Sequence, residues 1–179
     1  IQMKVGIIGS GNMGSGLARR ITAAGHDVLM TARDLVEAEK IAGQIGPRVK
    51  VVPSADVAKG VDLLIAATPA NSQVDALKSA GDLRGKIVID IANPLKPDYS
   101  GLSVGYTTSF AEELAKAVPG AKIVKAFNTI FAQVLTEGPD FGNGLRAAAF
   151  YCCDDEGAKK TVHALIESMG FDAIDAGPL

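Results

Sequence analysis

"KVGIIGSGNMGSGLARRITAAG" (residues 4–25) changes its periodicity partway along. It opens on a short apolar run, Lys4–Gly9, of the length and composition of a buried strand. It closes on Leu17, Ala18 and Ile21, spaced as on one face of a helix. Between them, Gly9, Gly11 and Gly14 stand in G-x-G-x-x-G spacing. Gly9 permits the tight turn from strand to helix, Gly11 lets a diphosphate approach the backbone, and Gly14 lets helix and strand pack closely. The first amides of the helix lack intrahelical acceptors and supply positive potential there. The spacing alone is weak evidence. A strand before it, a helix after it and a span of about thirty residues give it meaning.

The same alternation continues along the chain. Apolar runs at 27–32, 49–52, 62–69, 86–94, 121–128, 145–152 and 171–176 are separated mostly by stretches with helical spacing. The runs show little polar alternation, as expected of parallel strands covered on both faces. The pattern predicts an α/β fold over residues 1–179: a single Rossmann-like, doubly wound, mainly parallel sheet of about eight strands with helices on both faces. Cap residues mark the helix starts. Asp34 and Ser54 each precede a helical pattern, Ser109 with Glu112 forms a capping-box signature, and Asp154 or Asp155 can cap the last helix. Gly25, Gly120 and Gly170 follow helix ends. "NPLKPDYSGLSVGYTTS" (93–109) is the one long connection, and a segment of that kind is usually functional or mobile.

Composition excludes several classes. With 179 residues, 47% hydrophobic content and a net charge of −2, the chain is long enough for one well-buried domain. It has no run of about eighteen apolar residues and no charged-then-apolar leader, so a cytoplasmic protein with no membrane partner is expected. Ile1 and Gln2 read as residues added ahead of a natural start at Met3. A pI near 5.7 and the absence of a basic patch with interleaved aromatics argue against a nucleic-acid partner. Cys152 and Cys153 read as small apolar residues on opposite faces of a strand, and no metal site is implied.

"MTARD" (30–34) follows the second run. In this motif an acid about twenty residues beyond the glycines accepts from the ribose hydroxyls of NAD, whereas a basic residue there receives the 2′-phosphate of NADP. Arg33 lies at that distance, with the Thr31 hydroxyl nearby, and a planar guanidinium suits a phosphate. NADP is therefore the expected cofactor. Two alternatives stay open: Arg33 as a surface residue paired with Asp34 or Asp56, and Asp34 as the ribose ligand.

A ligand in such a sheet sits outside the carboxyl ends of the strands. Those ends offer "ATPAN" (67–71), "ANP" (92–94) and "FNTI" (127–130), so Thr68, Pro69, Asn93, Asn128 and Thr129 are expected around the nicotinamide, with Pro94 and Ile130 beside them. None is a strong acid or base. His26 lies at the wrong edge and His163 in the last helix, so both read as surface or packing residues. Lys125 reads as a strand-end lysine in a salt bridge and Asp90 as a residue bonding a nearby loop. No residue is assigned a catalytic role. Hydride exchange between two redox rings asks mainly for alignment in a dry cleft, which fits this set. The second ring is then expected against the 93–109 connection and the terminal "DAGPL" (175–179), that is, against Ala176, Gly177 and Pro178.

"VGIIGSGNMGSGLA" (5–18), "TARD" (31–34), "ATP" (67–69), "IDIANP" (89–94), "KAFNTI" (125–130) and "GFDAIDAGPL" (170–179) together resemble the NADPH:coenzyme F-420 oxidoreductases, the deazaflavin-dependent NADP reductases, over essentially the whole chain. "KAFNT" (125–129) followed some forty residues later by "MGFDAIDAGPL" (169–179) is also similar to the cytoplasmic domain of the STEAP metalloreductases, which passes hydride from NADPH to a flavin. The resemblance implies NADP bound through Ser10, Asn12, Met13, Thr31, Ala32 and Arg33, with Pro69 and Asn93 near the nicotinamide. It implies a deazaflavin or flavin as the small-molecule acceptor. Asn128 stands where deazaflavin-reducing members are expected to carry histidine, and asparagine is the STEAP-like form. The family usually continues past this point into helices that close the site and build a homodimer. An NADP-dependent oxidoreductase is the reading, with an NADPH sensor lacking turnover as the alternative.

Overall fold

A computed structural model describes all 179 residues. Six strands follow the order expected of a dinucleotide fold: β1 (Lys4–Ile8), β2 (Asp27–Thr31), β3 (Val49–Val51), β4 (Leu63–Ala66), β5 (Ile87–Asp90) and β6 (Lys122–Ala126). The helices between them are α1 (Asn12–Ala23), α2 (Leu35–Ile45), α3 (Ala70–Ser79) and α4 (Phe110–Ala117). Then come α5 (Ala132–Glu137), a small hairpin of β7 (Asp140–Gly142) and β8 (Leu145–Arg146), β9 (Ala148–Cys153), α6 (Glu156–Ser168) and β10 (Asp172–Asp175).

The main sheet has eight strands in the order β10-β9-β6-β5-β4-β1-β2-β3. All neighbours are parallel except β6 and β9, which pair antiparallel with Lys125 opposite Cys152. The order reverses at β1, where the connection from β3 crosses to β4, and the carboxyl ends of β1, β2 and β4 therefore open on a shared crevice.

Alternation along the strands divides the core in two. Ile7, Met30, Ile65, Ile89 and Val124 face α1 and α6, whereas Ile8, Leu29, Leu64, Val88 and Ile123 face α3 and α4, with Leu77 and Leu114 supplied by those helices. A fully buried leucine or isoleucine contributes about 1.5–3 kcal/mol, so these two layers carry most of the stabilisation. Ser109 accepts from the Glu112 amide while the Glu112 carboxylate accepts from the Ser109 amide, a complete capping box on α4. Asp155, of the two candidate aspartates, caps α6.

Two local expectations are corrected, and a third region gains detail. Ser54 does not precede an α-helix: it begins a short 3₁₀ helix, Ser54–Asp56, that passes into turns over residues 57–60 before β4. The run 145–152 is not one strand, since Ala147 separates β8 from β9. The 93–109 connection is irregular but tied across its base, with a bridge between Leu95 and Leu102.

Candidate functional site

The turn after β1 shows which glycines the fold itself requires. Gly9 has φ of +113°, and a Cβ there would stand 2.5 Å from the Ala67 carbonyl oxygen. A Cβ on Gly14 would stand 2.1 Å from the Gly9 carbonyl oxygen. Both positions are filled by the chain's own backbone. Gly11 differs: nothing lies within 4 Å of a Cβ built on it. Its space opens outward, at the start of α1, where no side chain caps the helix and no acid occupies the first turn. The Asn12, Met13 and Gly14 amides point into this turn as free donors.

Beside the turn lies a cleft of about 650 Å³, in the range of small-molecule sites. Gly9, Ser10 and Gly11 form one wall, Thr31, Ala32 and Arg33 a second, and Thr68 and Pro69 a third. Two hydroxyls in it, Thr31 Oγ1 and Thr68 Oγ1, are buried without a hydrogen-bond partner. A buried hydroxyl with no partner costs about 1–3 kcal/mol, so both positions call for a ligand atom. Arg33 is exposed and makes no ion pair. Asp34 spends its carboxylate on the Glu37 amide at 3.0 Å, and Asp56 pairs with Lys59 at 2.5 Å, so neither holds Arg33. An open glycine turn, two orphaned hydroxyls and an uncommitted guanidinium suit a dinucleotide bearing an additional phosphate.

The cleft continues across the sheet. Thr68 and Pro69 also line a second hollow of about 590 Å³ bounded by Ala92, Asn93 and the 93–109 connection. Asn93 and Phe110 then lead into a third, of about 400 Å³, with Lys125, Asn128 and Cys152 on its floor. Asn93 Nδ2 donates to the Asn128 carbonyl at 3.0 Å, and Asn128 Nδ2 donates to Asn93 Oδ1 at 3.4 Å, joining the ends of β5 and β6. Phe127 directly precedes Asn128. It adopts φ of +62°, a conformation costing a bulky residue about 1–3 kcal/mol, and its buried ring packs edge-on against Phe171 at 6.4 Å.

Lys125 lies behind these amides. Its ammonium meets Asp90 Oδ2 at 2.9 Å and also the Ala92 carbonyl, while Asp90 Oδ1 accepts from Gln73 Nε2 at 2.9 Å and the Ala92 amide at 2.8 Å. Cys152, across from Lys125, has its thiol pKa raised by burial.

A family profile described as "NADP oxidoreductase coenzyme F420-dependent" matches residues 4–94, just over half of the chain. The chain belongs to this family. Within and beyond that span, the chain is 31% identical over 176 residues to the metalloreductase STEAP3 of Rattus norvegicus, covering 98% of itself and 34% of that protein. It is 33% identical over 150 residues to the F420-dependent NADP reductase of Methanothermobacter thermautotrophicus, covering 75% of itself and 65% of that protein. Thus it spans about a third of one curated relative and just under two thirds of the other. A solved structure of a hypothetical protein from Sinorhizobium meliloti superposes with a TM-score of 0.89 at 34% identity, covering 99% of this chain and 86% of that one.

The fold brings most of the expected residues together. Gly9, Ser10, Gly11, Thr31, Ala32, Arg33, Thr68 and Pro69 line the first cleft, and Asn12, Met13 and Gly14 begin the helix beside it. Asn93, Pro94 and Asn128 line the third hollow. Thr129, Ile130, Ala176, Gly177 and Pro178 line none of the three. Ile130 packs on the core, and the Gly177 carbonyl accepts from the Cys153 amide at 3.0 Å as the terminus runs on beside β9. Leu179 reaches the third hollow instead. Sequence reasoning missed the α3 wall of the first cleft, Ser72, Asp75, Ala76 and Ser79, whose i, i+3, i+4, i+7 spacing was its only signal.

Proposed function

We propose that this chain is the NADP-binding part of an oxidoreductase passing hydride between NADPH and a deazaflavin or flavin acceptor. The observation that carries the reading is Arg33: an exposed guanidinium without an ion pair, on the wall of a cleft that also holds two unpartnered buried hydroxyls. The relatives' names, an F420-dependent NADP reductase and a metalloreductase, support the same class.

The residues divide the work by position. The free amides of Asn12, Met13 and Gly14 would hold the diphosphate, and Gly11 lets it come close. Arg33 would take the 2′-phosphate in a bidentate grip. Thr68, Pro69 and Asn93 lie where the cleft passes into the second hollow and would orient the nicotinamide. When bound, NADPH supplies the hydride. Asn93 and Asn128, locked to each other, would present amide groups to the acceptor ring without moving a proton. The 93–109 connection and Leu179 would exclude water from the ring.

Titration of the protein with NADPH and NADH, repeated with FMN, FAD and coenzyme F-420 while NADPH oxidation is followed, tests this. The expected result is selective NADPH binding and oxidation by one acceptor. Equal binding of the two nucleotides would overturn the NADP assignment. Tight NADPH binding without oxidation by any acceptor would replace the enzyme with a sensor.

A further inference from the structure

The first cleft contains a carboxylate that the phosphate-binding role leaves unexplained. Asp75 stands on α3 with Ser72, Ala76 and Ser79, the four residues of that helix that line the cleft. They form one helical face roughly 10 Å long. Arg33 and the glycine turn line the same cleft. Asp75 makes no hydrogen bond or ion pair, although Lys78 follows three positions later and Arg33 shares its cleft. It also lies beyond the first turn of α3, so it does not serve the helix dipole. An uncommitted acid facing a polyanionic ligand repels it, unless it accepts a hydrogen from that ligand. Beyond its ribose hydroxyls and the nicotinamide end, the donor group of NADP is the exocyclic amine of adenine. Ile8, Ala67 and Ala76 line the same cleft and offer apolar contact to a purine.

We propose that Asp75 accepts a hydrogen bond from the 6-amino group of the adenine of NADP, making it a specificity-determining residue for the base while Arg33 reads the phosphate. This rests on the NADP reading above. A 6-oxo purine puts an acceptor where the amine stood and keeps its nearest donor at the neighbouring N1–H, so the carboxylate loses its partner at position 6 and is repelled by the carbonyl.

The test compares binding of NADP⁺ and its hypoxanthine analogue, deamino-NADP⁺, by calorimetry, in the wild-type protein and in Asp75→Ala and Asp75→Asn. Asp75 is exposed, so both variants are expected to fold. The wild type should prefer NADP⁺ by about tenfold. The alanine variant should bring that ratio close to one. The asparagine variant, whose amide can donate to a 6-oxo group, should bind the analogue at least as well as NADP⁺. A wild-type ratio of one, an unchanged ratio in both variants, or an equal tightening of both ligands would overturn the inference; the last would make Asp75 a mere repeller of phosphate. If the wild type binds neither dinucleotide, the NADP reading itself fails, a result distinct from a loss of discrimination.

Discussion

Lys125 on β6 reaches across to Asp90 on β5, placing its ammonium 2.9 Å from Oδ2 of a carboxylate that is fully buried. Asp90 also accepts from Gln73 and from the Ala92 amide, so one carboxylate ties β5, β6 and α3 together beneath the residues that face the site. Removing one partner of such a pair leaves a buried charge uncompensated, at a cost of about 3–5 kcal/mol. Lys125→Met should therefore lose stability of that order in urea unfolding. The double variant Lys125→Met/Asp90→Asn should recover most of it. If the single and double variants unfold alike, the pair does not hold the strand ends.

The glycine turn separates folding from binding. Gly14→Ala drives a Cβ to 2.1 Å from the Gly9 carbonyl oxygen and should destabilise the protein by several kcal/mol. Gly11→Ala meets nothing within 4 Å and should change stability by less than about 1 kcal/mol while weakening dinucleotide affinity at least about tenfold. Thermal unfolding and calorimetric titration of the two variants distinguish these effects. Full affinity in a stable Gly11→Ala protein would place the diphosphate elsewhere.

Arg33→Ala removes a guanidinium that no carboxylate of the chain engages, so its effect on stability should be small. A charge-assisted phosphate contact contributes about 1.5–3 kcal/mol, so NADP⁺ affinity should fall about ten- to a hundredfold. NAD⁺ affinity should hardly move. Comparable losses for both dinucleotides would mean that Arg33 acts on something other than the 2′-phosphate.

Much of this site is legible in sequence because it is local. Gly9, Gly11, Gly14 and Arg33 lie within one βαβ unit, and their spacing reports their geometry. All eight apolar runs contribute strands to the main sheet, since burial on both faces leaves a continuous hydrophobic signature. What is not legible depends on direction and distance. A buried run reads alike in either orientation, so the antiparallel join of β9 to β6 is invisible until the strands are placed. No local residue signals the left-handed backbone of Phe127, whose ring packs on Phe171, forty-odd residues away. Asp75 looks like any solvated helix carboxylate until the β2 end is seen to border the same cleft. Leu179, rather than Ala176 to Pro178, reaches the third hollow because the terminal segment continues as ladder partner to β9 before it turns.

His26 provides a pH-dependent contribution to stability. Its Nδ1 accepts from the Met3 amide at 3.0 Å, which requires that nitrogen to be unprotonated, and Nε2 then donates to Ser168 Oγ at 2.8 Å. The ring thus joins the start of β1 to the end of α6. Burial is the main cause lowering its pKa from the usual 6.5, reinforced by the chain's amino terminus and Arg48 and opposed by Asp27 and Asp62. The folded protein therefore favours the neutral ring. Its contribution is fully present above pH 6.5, declines as the pH falls from there, and is lost on passing through the lower folded-state value. Asp82, held at about 2 by Arg84, contributes above its ordinary 3.8 and loses that contribution only as the pH falls toward 2, well outside this window. Urea unfolding between pH 7.5 and 5.5 should accordingly show falling stability in the wild type. His26→Gln, less stable at neutral pH because it loses the ring's two bonds, should show a flatter dependence across the same interval. An unchanged slope in that variant would assign the titration to another group.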